Sequence, residues 1–163
     1  MELPKNFEYF EKTSLNKTIE NLIKEQGDNV CQQKIGVDYI KNQLTDYSFG
    51  FIRYTTKAQV GQRRTRLTEH HLYSFVLCKH VPDPLVKEYN IILVCSRANS
   101  KDGKLLMQLV EQKARELHYQ RLSLIAVGDQ RLLHWYESLG YISIDHKPIQ
   151  DSNNNAYYMR KYL

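Results

Sequence analysis

A strand that feeds a helix through a short polar loop leaves the first helical N–H groups without partners at the positive end of the helix dipole, which makes a ready anion site. Residues 89–105 have that form. Tyr89-Asn-Ile-Ile-Leu-Val-Cys95-Ser96 reads as a strand, Arg97-Ala-Asn-Ser-Lys-Asp-Gly103-Lys104 as the loop, and the helix opens at Leu105. The chemistry to expect there is recognition of a phosphate-bearing cofactor. A second segment, Leu133-His-Trp-Tyr136-Glu-Ser-Leu-Gly140-Tyr141, places a tyrosine near the end of a short helix that Gly140 stops.

Other chemistry-bearing residues form no comparable pattern. His70, His71, His80, His118, His134 and His146 make no HExxH or CxxC-type set, so no metal site is expected. Cys31, Cys78 and Cys95 are an odd count without metal spacing and read as reduced, small core residues. For Cys95 the strand backbone is expected to matter more than the thiol. Arg63, Arg64 and Arg66 read as a solvated basic loop. The net charge of +5 favours anionic ligands weakly and does not establish nucleic-acid binding. A small nucleic-acid binder built on Gln62–Arg66 is a rival reading, and it predicts salt-dependent affinity without a cofactor.

The elements that must position these residues follow from periodicity. Asn6–Glu11 mixes polar and aromatic residues like an edge strand. Leu15, Ile19, Leu22 and Ile23 make one apolar stripe, which predicts a helix over Leu15–Gln26 stopped by Gly27-Asp28. A shorter helix, Val37–Leu44, has Val37, Ile40 and Leu44 on one face. Tyr47–Thr55 reads as a strand, Thr56–Glu69 as an exposed polar connection, and His71–His80 as the next strand. Pro82-Asp-Pro84 breaks it before the strand through Asn90–Cys95. The helix after Gly103 collects Leu105, Leu106, Leu109, Val110, Ala114 and Leu117 on a broad face. Arg121–Val127 is nearly continuous in apolar character, as a buried parallel strand would be. Gln130–Ser138 is a short helix, Tyr141–Asp145 a strand, Asp151–Asn155 a turn, and Ala156–Tyr162 the last strand.

The order β-α-α-β-β-β-α-β-α-β-β predicts an α/β fold with a mixed sheet. At 163 residues, 42% of them hydrophobic, one domain with a single core is expected over 1–163. No run of about 18 apolar residues is present to span a membrane. The opening Met-Glu-Leu-Pro-Lys-Asn has no apolar stretch of the signal-peptide kind, so a cytoplasmic protein without a membrane partner is expected.

In element order over the whole chain, and in residue detail over roughly Asn90–Asp145, the sequence resembles the GNAT acyl-CoA N-acyltransferase superfamily. Three pieces carry the resemblance: the apolar strand running through a polar loop into a helix with Leu105-Leu106, the strand Leu122–Val127 directly after it, and Leu133–Tyr141, similar to the family's Tyr-x-x-x-Gly-aromatic helix end. The resemblance implies a mixed, mostly antiparallel central sheet flanked by helices, with two central strands splayed apart, here Ile91–Ser96 and Leu122–Val127. It implies acetyl-CoA as acyl donor, its pantetheine arm pairing with the backbone of Val94, Cys95 and Ser96. The pyrophosphate loop would comprise Arg97, Ser100, Lys101, Asp102, Gly103 and Lys104.

Here the chain departs from the family's Gln/Arg-x-x-Gly-x-Gly/Ala. The two small positions fall on Ser100 and Asp102, with Gly103 displaced by one. Asp102 puts a carboxylate near the phosphates unless its side chain turns away, for instance to cap the helix. Lys101 and Lys104 would offset its charge. The resemblance implies direct attack of a primary amine on the thioester, with Tyr136 as general acid to the departing thiolate and Glu69, His71 or His80 as general base. The acceptor would be a small-molecule or protein amine. A catalytically degenerate binding or regulatory module on the same fold is the second reading. Tyrosine-rich edges around Tyr157, Tyr158 and Tyr162 allow a homodimer.

Overall fold

Asn16 opens the first helix: its side-chain oxygen accepts a hydrogen bond from the Ile19 N–H at 3.2 Å, satisfying one donor that every helix start leaves over. This helix, α1 (Lys17–Val30), buries Ile19, Leu22 and Ile23, the stripe predicted from spacing. It does not stop at Gly27-Asp28 as expected. A Cβ on Gly27 would lie 3.3 Å from Ile40 Cδ1 of α2 (Val37–Gln43), so the missing side chain lets two helices approach closely. On α2, Ile40 is buried, as is Leu44 just after it, whereas Val37 is exposed, against expectation.

In this computed structural model the described residues are 2–14, 16–32, 35–60, 66–128, 130–144, 149–151 and 154–163. Leu15, Gln62, Arg63, Arg64, Asp145 and His146, named above, lie outside them. The strands are β1 (Phe7–Glu11), β2 (Phe49–Val60), β3 (Arg66–Val81), β4 (Glu88–Ser96), β5 (Arg121–Val127), β6 (Ile142–Ser143), β7 (Ile149–Asp151) and β8 (Asn154–Tyr162). Between β4 and β5 runs α3 (Asp102–Glu116), and after β5 comes α4 (Gln130–Ser138). Hydrogen bonding orders the sheet β1-β2-β3-β4-β5-β8-β6, with β7 also on β8. The β4–β5 pair is parallel, and β1–β2, β2–β3, β5–β8, β6–β8 and β7–β8 are antiparallel.

The chain divides by internal contacts into two units, Met1–Cys78 with Leu93–Val110, and Lys79–Ile92 with Glu111–Leu163. In the first, β2 and β3 extend beyond the strands predicted for them. Thr56 pairs with His70, Lys57 with Glu69 and Val60 with Arg66, so much of the expected exposed connection is ladder. Its polar side chains imitate a loop in composition, while its backbone pairs regardless of side chain. Phe49, Phe51, Ile52, Phe75, Val76 and Leu77 form the buried centre of this hairpin. Gly50 makes the register possible: a Cβ there would sit 2.4 Å from the Val76 carbonyl oxygen and 2.5 Å from Phe10 Cζ. Gly50→Ala is expected to cost about 2 kcal/mol by overpacking. Denaturant unfolding of the variant checks it, and an unchanged midpoint would refute the close approach.

In the second unit the buried carboxylate of Glu88 accepts hydrogen bonds from Arg121 Nε and, at 3.0 Å, from Ser123 Oγ, with Arg160 Nε 3.7 Å away. This cluster ties the start of β4 to β5 and β8. The parallel β4–β5 ladder covers only Glu88↔Arg121, Tyr89↔Leu122 and Asn90↔Ser123, although both strands run on. β5 pairs along its whole length with β8, from Arg121↔Tyr162 to Val127↔Ala156. Leu122, Leu124 and Ala126 are buried, but Ile125 and Val127 are about half exposed, so β5 is not buried on both faces as its apolar run predicts. Among the described residues no helix is long and apolar enough to cross a membrane.

Candidate functional site

The loop after β4 is built by a turn and a local serine side-chain bond. Ser100 N–H donates to the Arg97 carbonyl at 3.3 Å, and Asn99 takes the left-handed conformation (φ 62°) that asparagine tolerates well. Ser100 Oγ accepts the Asp102 N–H at 3.0 Å, and the first helical bond runs from Leu105 N–H to Lys101 O at 3.4 Å. The helix α3 therefore begins at Asp102 and not at Leu105 as predicted, with the Lys101 carbonyl accepting its first bond. Gly103 and Lys104 lie in its first turn, where their N–H groups precede the helical ladder. Lys101 and Lys104 are exposed.

Asp102 does turn away, but not to cap the helix. Its carboxylate is buried and accepts from Arg53 Nη1 at 2.8 and 3.1 Å and from Ser74 Oγ at 2.9 Å. Arg53 stands on β2 and Ser74 on β3, paired with each other in the ladder. The register then skips Tyr73, so β3 carries a bulge there, a device that re-aims a side chain. Gln26 of α1 holds the bulge through Nε2 to His70 O (2.8 Å) and Oε1 to Leu72 N–H (2.9 Å). Arg97 also bonds this bulge: its Nε and Nη2 donate to Leu72 O at 3.2 and 2.9 Å, and its backbone N–H to Tyr73 O at 3.4 Å. The guanidinium carbons of Arg53 and Arg97 each lie 5.2 Å from the Tyr73 ring centroid. Arg97, expected in the phosphate loop, thus commits its guanidinium to β3.

Cys95 is not a reduced core cysteine. It forms a disulfide with Cys31, the C-cap residue of α1, with the Cα atoms 4.8 Å apart. Gln32 Nε2 reaches the Ser96 carbonyl at 3.4 Å beside it. Val94 and Ser96 are half-buried and Cys95 buried. Cys78 is a free, fully buried thiol whose pKa burial pushes well up, as befits an inert core residue.

In the second unit, α4 ends as the Tyr-x-x-x-Gly-Tyr spacing requires. Gly140 has φ +96°, Tyr141 N–H bonds to the Tyr136 carbonyl at 3.1 Å, and Gly140 N–H bonds to Glu137 O at 2.9 Å. This is a Schellman closure, in which the left-handed residue suits glycine. The Tyr136 ring packs at 6.0 Å on Tyr141 and 5.0 Å on Trp135. Burial pushes its phenol pKa up to about 12. The candidate bases are placed differently. Glu69 is exposed on β3, 3.6 Å from His71 Nε2. His80, also exposed, bonds through Nδ1 with the Tyr119 hydroxyl at 2.8 Å. Among the described residues no group of His, Cys, Asp and Glu is arranged to hold a metal ion.

Sequence reasoning named every residue of the β4–α3 loop but missed the partners Arg53, Ser74, Tyr73, Gln26 and Cys31. Asp102 was the available signal: a carboxylate at a helix start beside a proposed phosphate site calls for a counter-charge.

No protein-family model and no curated protein matches the sequence. Solved structures do match its fold. The NatC complex bound to Gag peptide and CoA contains a chain that superposes with TM-score 0.65 at 14% identity, over 97% of this chain and 99% of that one. An acyl-CoA N-acyltransferase from Pseudomonas aeruginosa gives 0.66 at 15% identity, over 95% and 98%. Aminoglycoside 6'-acetyltransferase type Ii gives 0.62 at 14%, over 96% of both chains. The chain has the GNAT fold. Its sheet is mixed and mostly antiparallel, as the resemblance implies, with the parallel β4–β5 ladder ending at Asn90↔Ser123.

Proposed function

We propose that this GNAT-fold chain, acting as one domain over 1–163, transfers an acetyl group from acetyl-CoA to a primary amine of a small molecule or protein by direct attack. The observation that carries the reading is the early end of the β4–β5 ladder at Asn90↔Ser123. Beyond it, Ile91 and Ile92 have no β5 pair in the ladder, which suits an extended ligand rich in amides. The surrounding residues fit such a donor. The backbone of Val94, Cys95 and Ser96 would take the pantetheine arm. The N–H groups of Gly103 and Lys104 and the amines of Lys101 and Lys104 would take the phosphates, with Asp102 neutralised by Arg53.

Acetyl-CoA supplies an activated thioester; the rest of the chemistry falls to side chains. Tyr136, a neutral phenol at working pH, donates the proton that the departing thiolate needs. Glu69, His71 or His80 removes a proton from the amine. Direct attack is favoured over an acyl-cysteine route because Cys95 is bonded to Cys31 and the Cys78 thiol is buried with a raised pKa.

Calorimetric titration with acetyl-CoA, and with coenzyme A alongside, tests the reading. Saturable binding of both is the expected result, followed by thiol release when the correct amine is added. A folded sample that binds neither overturns it. That outcome would favour a cofactor-free binding module, a reading to which the engagement of the Arg97 guanidinium by the Leu72 carbonyl lends support.

A further inference from the structure

We propose that Arg53 is a positioning residue for the donor's phosphates: by cancelling Asp102 it turns a repulsive helix start into an anion-tolerant one. The inference rests on the proposed use of acetyl-CoA. Asp102 is the first residue of α3 and only 4% exposed. A carboxylate so placed, if unpaired, would carry the expense of burial and would repel phosphate at the same turn. The Arg53 guanidinium meets it through Nη1 at 2.8 and 3.1 Å, and Ser74 Oγ adds a third bond at 2.9 Å. Together they occupy the carboxylate on the side of β2 and β3.

Arg53 is itself fixed. Its guanidinium carbon lies 5.2 Å from the Tyr73 centroid and 6.0 Å from that of Phe7. Tyr73 is also the bulge residue whose carbonyl receives the Arg97 N–H. Both ends of the loop from Arg97 to Asp102 are therefore tied to one bulge, the near end by Arg97 and the far end by Arg53. Lysine at 53 would keep the charge but lose the planar guanidinium over Tyr73. Arg53 touches neither the thioester nor the phosphates in this assignment, and it acts through Asp102.

The test compares acetyl-CoA with acetyl-pantetheine, the same thioester without phosphates, on wild type, Arg53→Met, Asp102→Asn and the double variant. Arg53→Met is expected to weaken acetyl-CoA binding about tenfold or more, the order set by one uncompensated charge close to an anion. Acetyl-pantetheine should bind as before. The double variant, with no charge left to cancel, should recover most of the loss, and it keeps the test alive if Arg53→Met alone does not fold. Undiminished acetyl-CoA binding by folded Arg53→Met overturns the inference. Equal loss of both ligands, or no recovery in the double variant, does so as well, since either marks a purely structural role or direct phosphate contact. Failure of wild type to bind acetyl-CoA is a separate result, which removes the cofactor assignment itself.

Discussion

Tyr136→Phe is expected to lower turnover by about a hundredfold or more while acetyl-CoA affinity changes little. A positioned general acid contributes on the order of 10²–10⁴. Burial raises the phenol pKa from 10.0 to about 12, so the proton is in place at any working pH, while the same shift makes the phenol a weaker acid and leaves its role to positioning. The departing thiolate, whose conjugate thiol has an ordinary pKa near about 8.5, would be the proton acceptor. The variant removes one oxygen and keeps the ring, so contacts with Trp135 and Tyr141 and the closure at Gly140 survive. The effect should appear in kcat and spare KM. The pH dependence follows from the sign of the shift. Because the folded pKa lies above the unfolded one, the stability tied to neutral Tyr136 is intact below pH about 10 and is lost as pH rises through about 12. No basic limb below pH about 10 should therefore trace to this residue. Equal turnover by wild type and variant would take the general-acid role away from Tyr136.

Reduction of the Cys31–Cys95 bond, or Cys31→Ser, should lower stability by about 4 kcal/mol, the chain-entropy value for a closed loop of this length. The bond spans 64 residues of sequence and joins the end of α1 to β4. Without it, the Gln32–Ser96 hydrogen bond at 3.4 Å remains at that junction but is a weak tie. Thermal unfolding with and without a dithiol reductant reads the effect, and Cys31→Ser should be insensitive to reductant. Thiol labelling of the unreduced, denatured protein should find Cys78 only. Three reactive thiols under those conditions would mean that the bond does not form.

Much of the architecture was legible because it rests on local periodicity. The stripe of Ile19, Leu22 and Ile23, the strand Arg121–Val127 and the helix Gln130–Ser138 stand where spacing put them. The Tyr136–Gly140–Tyr141 spacing was readable for the same reason: a helix cap is a matter of a few consecutive residues. Reading failed where a distant partner decides. Gly27 looks like a helix stop until Ile40 is packed against it. The largely polar segments 56–60 and 66–69 look like a loop until each is paired across a hairpin. Leu117, predicted on the buried face of α3, falls beyond its end and is exposed.

The candidate site divides the same way. The amino-acid sequence by itself determined that a polar loop joins an apolar strand to a helix, and that a tyrosine precedes a helix-ending glycine. Both are contiguous patterns whose geometry follows from neighbouring backbone dihedrals. Only the tertiary structure decided that Asp102 faces Arg53 and Ser74, that Arg97 serves the bulge at Tyr73, and that Cys95 has Cys31 as its partner. Those choices join residues as far as 64 positions apart. Whether a buried charge is repelled, cancelled or hydrogen-bonded depends on what the folded chain brings within about 3 Å of it, which no local pattern encodes.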